Sequence, residues 1–133
     1  MPLITITRKD ILRGKLVDPD WYRVKIEDVG EKTSKQGDSQ NFPIEGTILF
    51  NATTKSEEFK DVPLGPHNWN FNEKAIGFAV GFLEACGVEV PPDGGRFELV
   101  ACAGKTLDVY VGRGEYDGKP NNKIDHKYRK PVD

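Results

Sequence analysis

Trp21-Tyr22-Arg23-Val24-Lys25-Ile26 is the stretch that decides how this chain is read. Tyr22, Val24 and Ile26 fall on one side of an extended chain, and Arg23, Lys25 and Glu27 on the other. Period two with one polar side predicts a strand in a sheet with one wet face. Before it, residues 1–20 read as a lead-in arm that ends in the turn Asp18-Pro19-Asp20. After it, Lys32 to Ser39 is a polar loop with a Gly37-Asp38 turn signal. A second alternating run then places Phe42, Ile44, Ile48 and Phe50 on one side, with Gly46 at its centre marking a bulge or a barrel corner. The two runs predict a hairpin with a long, basic-tipped loop.

Beyond Asn51, the stretch Glu57 to Leu64 reads as a third strand carrying Phe59 and Val62, ended by Pro63. Gly65-Pro66-His67-Asn68 breaks the chain, and the period then changes. Asn72 is placed as an N-cap, Glu73 as an acid in the first turn, and Gly87 as a C-cap. Between them Ile76, Ala79, Val80, Leu83 and Cys86 fall at helical spacing, with Phe78 and Phe82 beside them. Such a helix is apolar nearly all round and is expected to be deeply packed. Leu99-Val100 fits a short helix or a short strand. Leu107, Val109 and Val111 alternate with Asp108 and Tyr110 as a fourth strand, Asp117-Gly118 is a hairpin turn, and Asn121 to Tyr128 is the return strand. Three strands, a helix and two strands follow the order of an OB-fold, a five-stranded Greek-key barrel with a helix between strands 3 and 4. The 133 residues are expected to form one such domain, with residues 129–133 as a short tail.

Composition narrows the function. No apolar run reaches the roughly 20 residues that span a bilayer, and the opening residues lack the apolar centre of a secretory signal. A cytoplasmic location is therefore expected, with the Asn51-Ala52-Thr53 sequon unglycosylated. Cys86 and Cys102 sit in apolar contexts and read as buried thiols rather than a disulfide. Neither forms zinc-ligand spacing with His67 or His126, so no metal is expected. The net charge of −2 hides an asymmetry, because Gly118 to Lys130 carries +4 and leaves −6 for the remainder. A basic strip on an acidic body meets phosphate locally, although a solvated tail has the same composition.

Gly104-Lys105-Thr106 imitates the end of a phosphate-binding loop and fails as one. Leu99 stands where the motif needs its first glycine, and a strand follows instead of a helix. No serine elbow or paired-histidine zinc motif occurs, so no enzyme activity and no cofactor are expected. The remaining pattern is aromatic and basic. Tyr22, Phe42, Phe50, Phe78 and Phe82 read as core, whereas Trp21, Trp69, Tyr110, Tyr116 and Tyr128 lie at polar positions suited to stacking on bases. Arg23 and Lys25 share the wet face of the first strand, Lys32 and Lys35 tip its loop, and Arg113, Lys119, Lys123 and Lys127 lie on the last hairpin. In an OB-fold those two loops flank the binding face, making Lys32, Lys35 and Lys119 two walls of one groove.

Over residues 17–128 the order of these motifs resembles a family of small phage proteins first catalogued as a domain of unknown function and later tied to single-stranded DNA. The likeness rests on Trp21 to Ile26, the Lys32 to Gly37 loop, Phe82-Leu83-Glu84-Ala85-Cys86-Gly87, the Gly104-Lys105 turn, and Glu115-Tyr116-Asp117-Gly118-Lys119 followed by Asn121-Asn122-Lys123. It implies an OB-fold that binds single-stranded DNA without sequence preference during phage replication or recombination. Further copies of itself and phage replication or recombination proteins are the partners it implies. Bacterial single-strand binders end in an acidic tail that recruits partners, and Tyr128-Arg129-Lys130-Pro131-Val132-Asp133 departs from that pattern. The rival reading is a protein–protein β-barrel of a phage assembly whose aromatics anchor an interface.

Overall fold

The computed structural model describes residues 2–30, 32–33, 40–66, 69–72, 76–94 and 98–131. Helix α1 (Arg8–Leu12) begins at a capping box in which the Thr7 hydroxyl accepts from the Asp10 amide and the Asp10 carboxylate accepts from the Thr7 amide. Strand β1 (Asp20–Val29) follows, then the short β2 (Lys32–Thr33), β3 (Gln40–Asn51), β4 (Pro63–Leu64) and β5 (Asn70–Phe71). One 3₁₀ turn, Ile76–Phe78, leads into helix α2 (Ala79–Ala85), and a second, Leu99–Cys102, precedes β6 (Thr106–Tyr116) and β7 (Lys119–Arg129).

The strands form one antiparallel sheet in the order β2-β3-β1-β6-β7, with β4 and β5 pairing to β3. Among the described residues no pairing joins β7 back to β4 or β5, so the sheet is not closed into a ring. The mainly antiparallel architecture with a helix before the last hairpin agrees with the sequence reading. The alternation in β1 holds as well: Tyr22, Val24 and Ile26 are fully buried, while Lys25 and Glu27 are exposed. They pack with Ile44, Ile48, Leu107 and Val109 into a core topped by Trp69, Phe71 and Phe82.

Four sequence expectations are corrected. The third strand is only two residues long, because Phe59 to Asp61 turn and Asp61 takes a left-handed backbone (φ 72°) before Pro63. The helix is two turns rather than four, and it buries Ala79, Phe82, Leu83 and Ala85 while Ile76, Phe78 and Val80 stay exposed on its other side. Phe78 is therefore not core. The arm is more than a lead-in, since Val17 is fully buried and the Asn122 side chain grips it. Asn122 accepts from the Val17 amide (3.0 Å) and donates to the Lys15 carbonyl (2.8 Å). The Leu99-Val100 ambiguity resolves as helical geometry of the 3₁₀ kind. The N-cap of α2 is Phe78 rather than Asn72, and Glu73, expected as an acid of the first turn, lies outside the described residues.

Gly46 shows why the sheet bends where it does. It pairs with Ile26 at the edge of a register shift. A methyl group there would lie 2.7 Å from Val24 Cγ1 and 3.0 Å from Trp69 Cζ3, so glycine is what lets the indole pack onto the strand.

Candidate functional site

Register brings the polar face of β1 together with its neighbours. Arg23 pairs with Asp108 of β6, and Asp108 in turn with Arg129 of β7. On the other side Arg23 pairs with Phe50, because a shift between Arg23 and Val24 places one extra β3 residue in the ladder. That bulge moves Phe50 from the apolar side, where simple alternation assigned it, to the outer face. One row across four strands therefore reads Phe50, Arg23, Asp108, Arg129. Trp21 and Tyr110 are paired directly beside it, and Lys25 and Thr106 on its other flank.

The side chains of this face interlock through rings and cations. The Arg129 guanidinium sits 4.2 Å above the Trp21 ring, and the Trp21 and Tyr110 rings meet edge to face at 5.7 Å. Lys127 lies over Tyr110 at 5.3 Å. At the other end Arg23 and Lys55 lie over Phe50, at 5.1 and 5.6 Å. Each contact of this kind contributes about 0.5–1 kcal/mol at an exposed site, more where water is excluded. Three half-buried aromatics from three adjacent strands thus alternate with four cations.

Asp108 is the centre of the row. It is almost fully buried and accepts from Arg23 Nε at 2.6 Å and Arg129 Nε at 3.3 Å. Arg23 is itself buried, with its side chain 9% exposed, whereas that of Arg129 is 44% exposed. Beside Trp21, Asp20 accepts from Asn51 (3.0 Å), the Thr53 hydroxyl (2.8 Å) and the Trp21 amide (2.7 Å). Burial pushes the Asp20 carboxyl up, but these hydrogen bonds outweigh it and hold the group below the usual carboxylate range.

The sequence-predicted residues divide. Trp21 and Tyr110 are brought together on the face, and Lys25 stands exposed at its flank. Tyr116 and Lys119 face each other at the tip of the β6–β7 hairpin, and Lys123 pairs with Gly112, so register sets all three on the same side as Tyr110. Tyr116 is 79% exposed. Arg113 is turned elsewhere: its Nη2 donates to the Val17 carbonyl at 2.7 Å and braces the arm. Arg23 is corrected from a free phosphate contact to a buried ion-pair partner of Asp108. The Lys32 backbone pairs with Asn41 in β2, while its side chain and the whole of Lys35 lie outside the described residues, and with them the proposed groove walls.

Trp69 is also corrected. It is fully buried, and its Nε1 donates to Tyr128 Oη at 2.8 Å with the two rings stacked. Tyr128 Oη, which accepts from Trp69, in turn lies within hydrogen-bond distance of His126 Nδ1 (2.8 Å). Burial raises the Tyr128 hydroxyl above the ordinary phenol range and lowers His126 below the ordinary imidazole range, which favours the neutral form of each. Trp69 and Tyr128 are core anchors rather than stacking platforms.

Phe50, Lys55 and Arg129 are members of the face that sequence reasoning missed. Phe50 was hidden by the bulge, and Lys55 by the left-handed turn (φ 66°) that folds it back over the strand end. No cluster of three or more potential metal ligands occurs among the described residues, and no helix there is long and apolar enough to cross a membrane. No protein-family model matches the chain, and no curated protein matches it either.

Proposed function

We propose that this chain binds single-stranded DNA without sequence preference and without catalysis, on an OB-type scaffold, as an accessory of phage replication or recombination in the host cytoplasm. The observation that carries the reading is the alternation of Phe50, Trp21 and Tyr110 with Lys55, Arg129 and Lys127 on one sheet face, where Arg23 is held by Asp108. An unpaired strand offers two things a duplex hides or spaces differently, namely open base faces and a pliable phosphate backbone. Aromatics accept the first at about 1–3 kcal/mol per stacked base, whatever the base, and cations accept the second. The exposed Lys25, Lys119, Lys123 and Lys127 extend the positive field along both ends of the row.

The strand order supports the scaffold assignment. Strand β3 lies between β1 and the short β4, β1 also pairs with β6, and β7 follows β6 as a hairpin. That is the neighbour order of an OB barrel left open between its third and last strands, and such barrels are often partly open. The likeness of the ordered motifs to the phage family points the same way.

A second reading has its own observation. Ile76 (51% exposed), Phe78 (52%) and Val80 (44%) are large apolar side chains exposed around the start of α2, which suits a protein partner. Fluorescence anisotropy of a labelled oligo-dT of about 30 nucleotides, at low and moderate salt with a duplex control, separates the two. Saturable, salt-sensitive binding to the single strand alone supports the DNA reading. No binding at low salt refutes it and leaves the protein-interface reading.

A further inference from the structure

Residues 2–6 are strand-like in composition and have no sheet. The run Leu3-Ile4-Thr5-Ile6-Thr7 is β-branched and aliphatic, yet it pairs with nothing among the described residues. Leu3 is 94% exposed, Ile4 82% and Ile6 60%. The arm is not adrift at its base. Its helix α1 is held to the body by Arg8–Asp61 (3.0 Å) and Lys9–Glu45 (2.5 Å), and Val17 is seated in the core. The chain therefore fixes the root of the arm and presents three large aliphatic side chains to water.

The same body carries a cleft of about 620 Å³ where its sheet is open. Pro63, Leu64 and Gly65 form one wall, and Tyr116, Pro120 and Asn121 the other. The first wall is β4 with the residue after it and the second is the tip of the β6–β7 hairpin, and among the described residues β4 pairs only with β3 and β7 only with β6. Cleft and arm match in charge as well as in form. The arm has no charged side chain before Arg8, and of the residues around the cleft only Arg13, at its rim, is charged.

We infer that residues 2–6 of one copy lie in the β4–β7 cleft of a second copy, adding an extended segment to the open seam. The arm does not fill its own cleft: none of residues 2–6 lines it, and Leu3, Ile4 and Ile6 are all exposed. Area is sufficient. Burying three such side chains against a wall removes about 400–700 Å² counting both surfaces, so two reciprocal arms remove about 800–1,400 Å², spanning the ~1,000 Å² that a specific interface needs. The inference is independent of the DNA reading, because it concerns the unliganded protein.

Sedimentation equilibrium of the full chain, without DNA, from about 1 to about 200 µM tests it. Two variants accompany it: a chain lacking residues 2–6, all of which are exposed, and Asn121→Arg, which fills the cleft with a charge. Circular dichroism and thermal melting check that both fold as the parent does. The expected result is self-association of the full chain, abolished by the deletion and weakened at least tenfold by Asn121→Arg. A full chain that stays monomeric throughout overturns the inference, as does an arm-deleted chain that associates as tightly as the parent. Unchanged association of folded Asn121→Arg overturns the cleft as the receptor.

Discussion

Replacing Asp108 with Asn removes one charge and almost no volume from the middle of the outer face, and the structure dictates an unequal cost to its two partners. Arg23 is buried, at 9% side-chain exposure, and its 2.6 Å bond to Asp108 is short. Breaking a buried pair by neutralising one partner costs about 3–5 kcal/mol, because a desolvated charge is left behind. The asparagine oxygen still accepts one hydrogen bond, and the Phe50 ring still lies under the guanidinium, so the lower end, about 3 kcal/mol, applies. Arg129 is 44% exposed and 3.3 Å away, so water screens its share to about 1 kcal/mol or less.

Urea unfolding of Asp108→Asn should therefore show a loss of about 3 kcal/mol, or about 10 °C in Tm for a chain of this size. Arg129→Gln should lose only about 1 kcal/mol. The double variant Arg23→Met with Asp108→Leu should recover most of the loss, since an apolar pair of similar volume removes the desolvated charge altogether. An Asp108→Asn loss under about 1 kcal/mol, or an Arg129→Gln loss as large as that of Asp108→Asn, refutes the argument that burial sets the cost.

Trp21→Ala should weaken oligo-dT binding by about 1–3 kcal/mol in anisotropy titrations while costing little stability, since the ring is only half-buried. Lys127→Ala should lower the slope of log affinity against log salt by about one unit. Trp69→Ala should instead destabilise by about 3–5 kcal/mol in urea melts, its ring being fully buried. Gly46→Ala should cost about 1–3 kcal/mol, because the added methyl meets Val24 and Trp69 inside van der Waals distance. His126 should make stability fall as pH drops below its ordinary value of 6.5. Burial lowers its folded value, so the unfolded chain binds the proton first, and a pH series of urea midpoints should lose that slope in His126→Phe.

The strands of this fold were legible wherever one side of the chain is dry and the other wet. Tyr22, Val24 and Ile26 against Lys25 and Glu27 is such a pattern, as is Leu107, Val109 and Val111 against Tyr110. Elements governed by less than a full period were not. Glu57 to Leu64 contains enough apolar residues for a strand, but the left-handed backbone at Asp61 ends any extended run and leaves two residues to pair. The helix was overestimated for a different reason. Ile76, Phe78 and Val80 are apolar without being buried, and periodicity registers hydrophobicity rather than burial.

The face depends on irregularities that a period cannot contain. A one-residue shift exchanges the two sides of a strand, so the bulge opposite Arg23 turns Phe50 from an expected core ring into the platform beneath a guanidinium. The register shift in β7 around Asp125 to Lys127, with His126 in a left-handed conformation, adds two residues and so slides the strand along β6 without exchanging its sides. It leaves Arg129 opposite Asp108 and over Trp21 and puts Lys127 over Tyr110, while Tyr128 keeps the inner side it shares with Ile124. Had β7 run without that shift, the alternation of Lys127, Tyr128 and Arg129 would meet β6 in another register, and the cations would not coincide with these rings. The two bulges are thus what convert a half-polar sheet into alternating rings and charges. Phe50→Ala should remove the ring from the outer face and abolish the Arg23 contact. Loss of oligo-dT affinity in a chain that still folds would tie binding to the ring that the bulge turns outward, and unchanged affinity would show that Phe50 has no part in it.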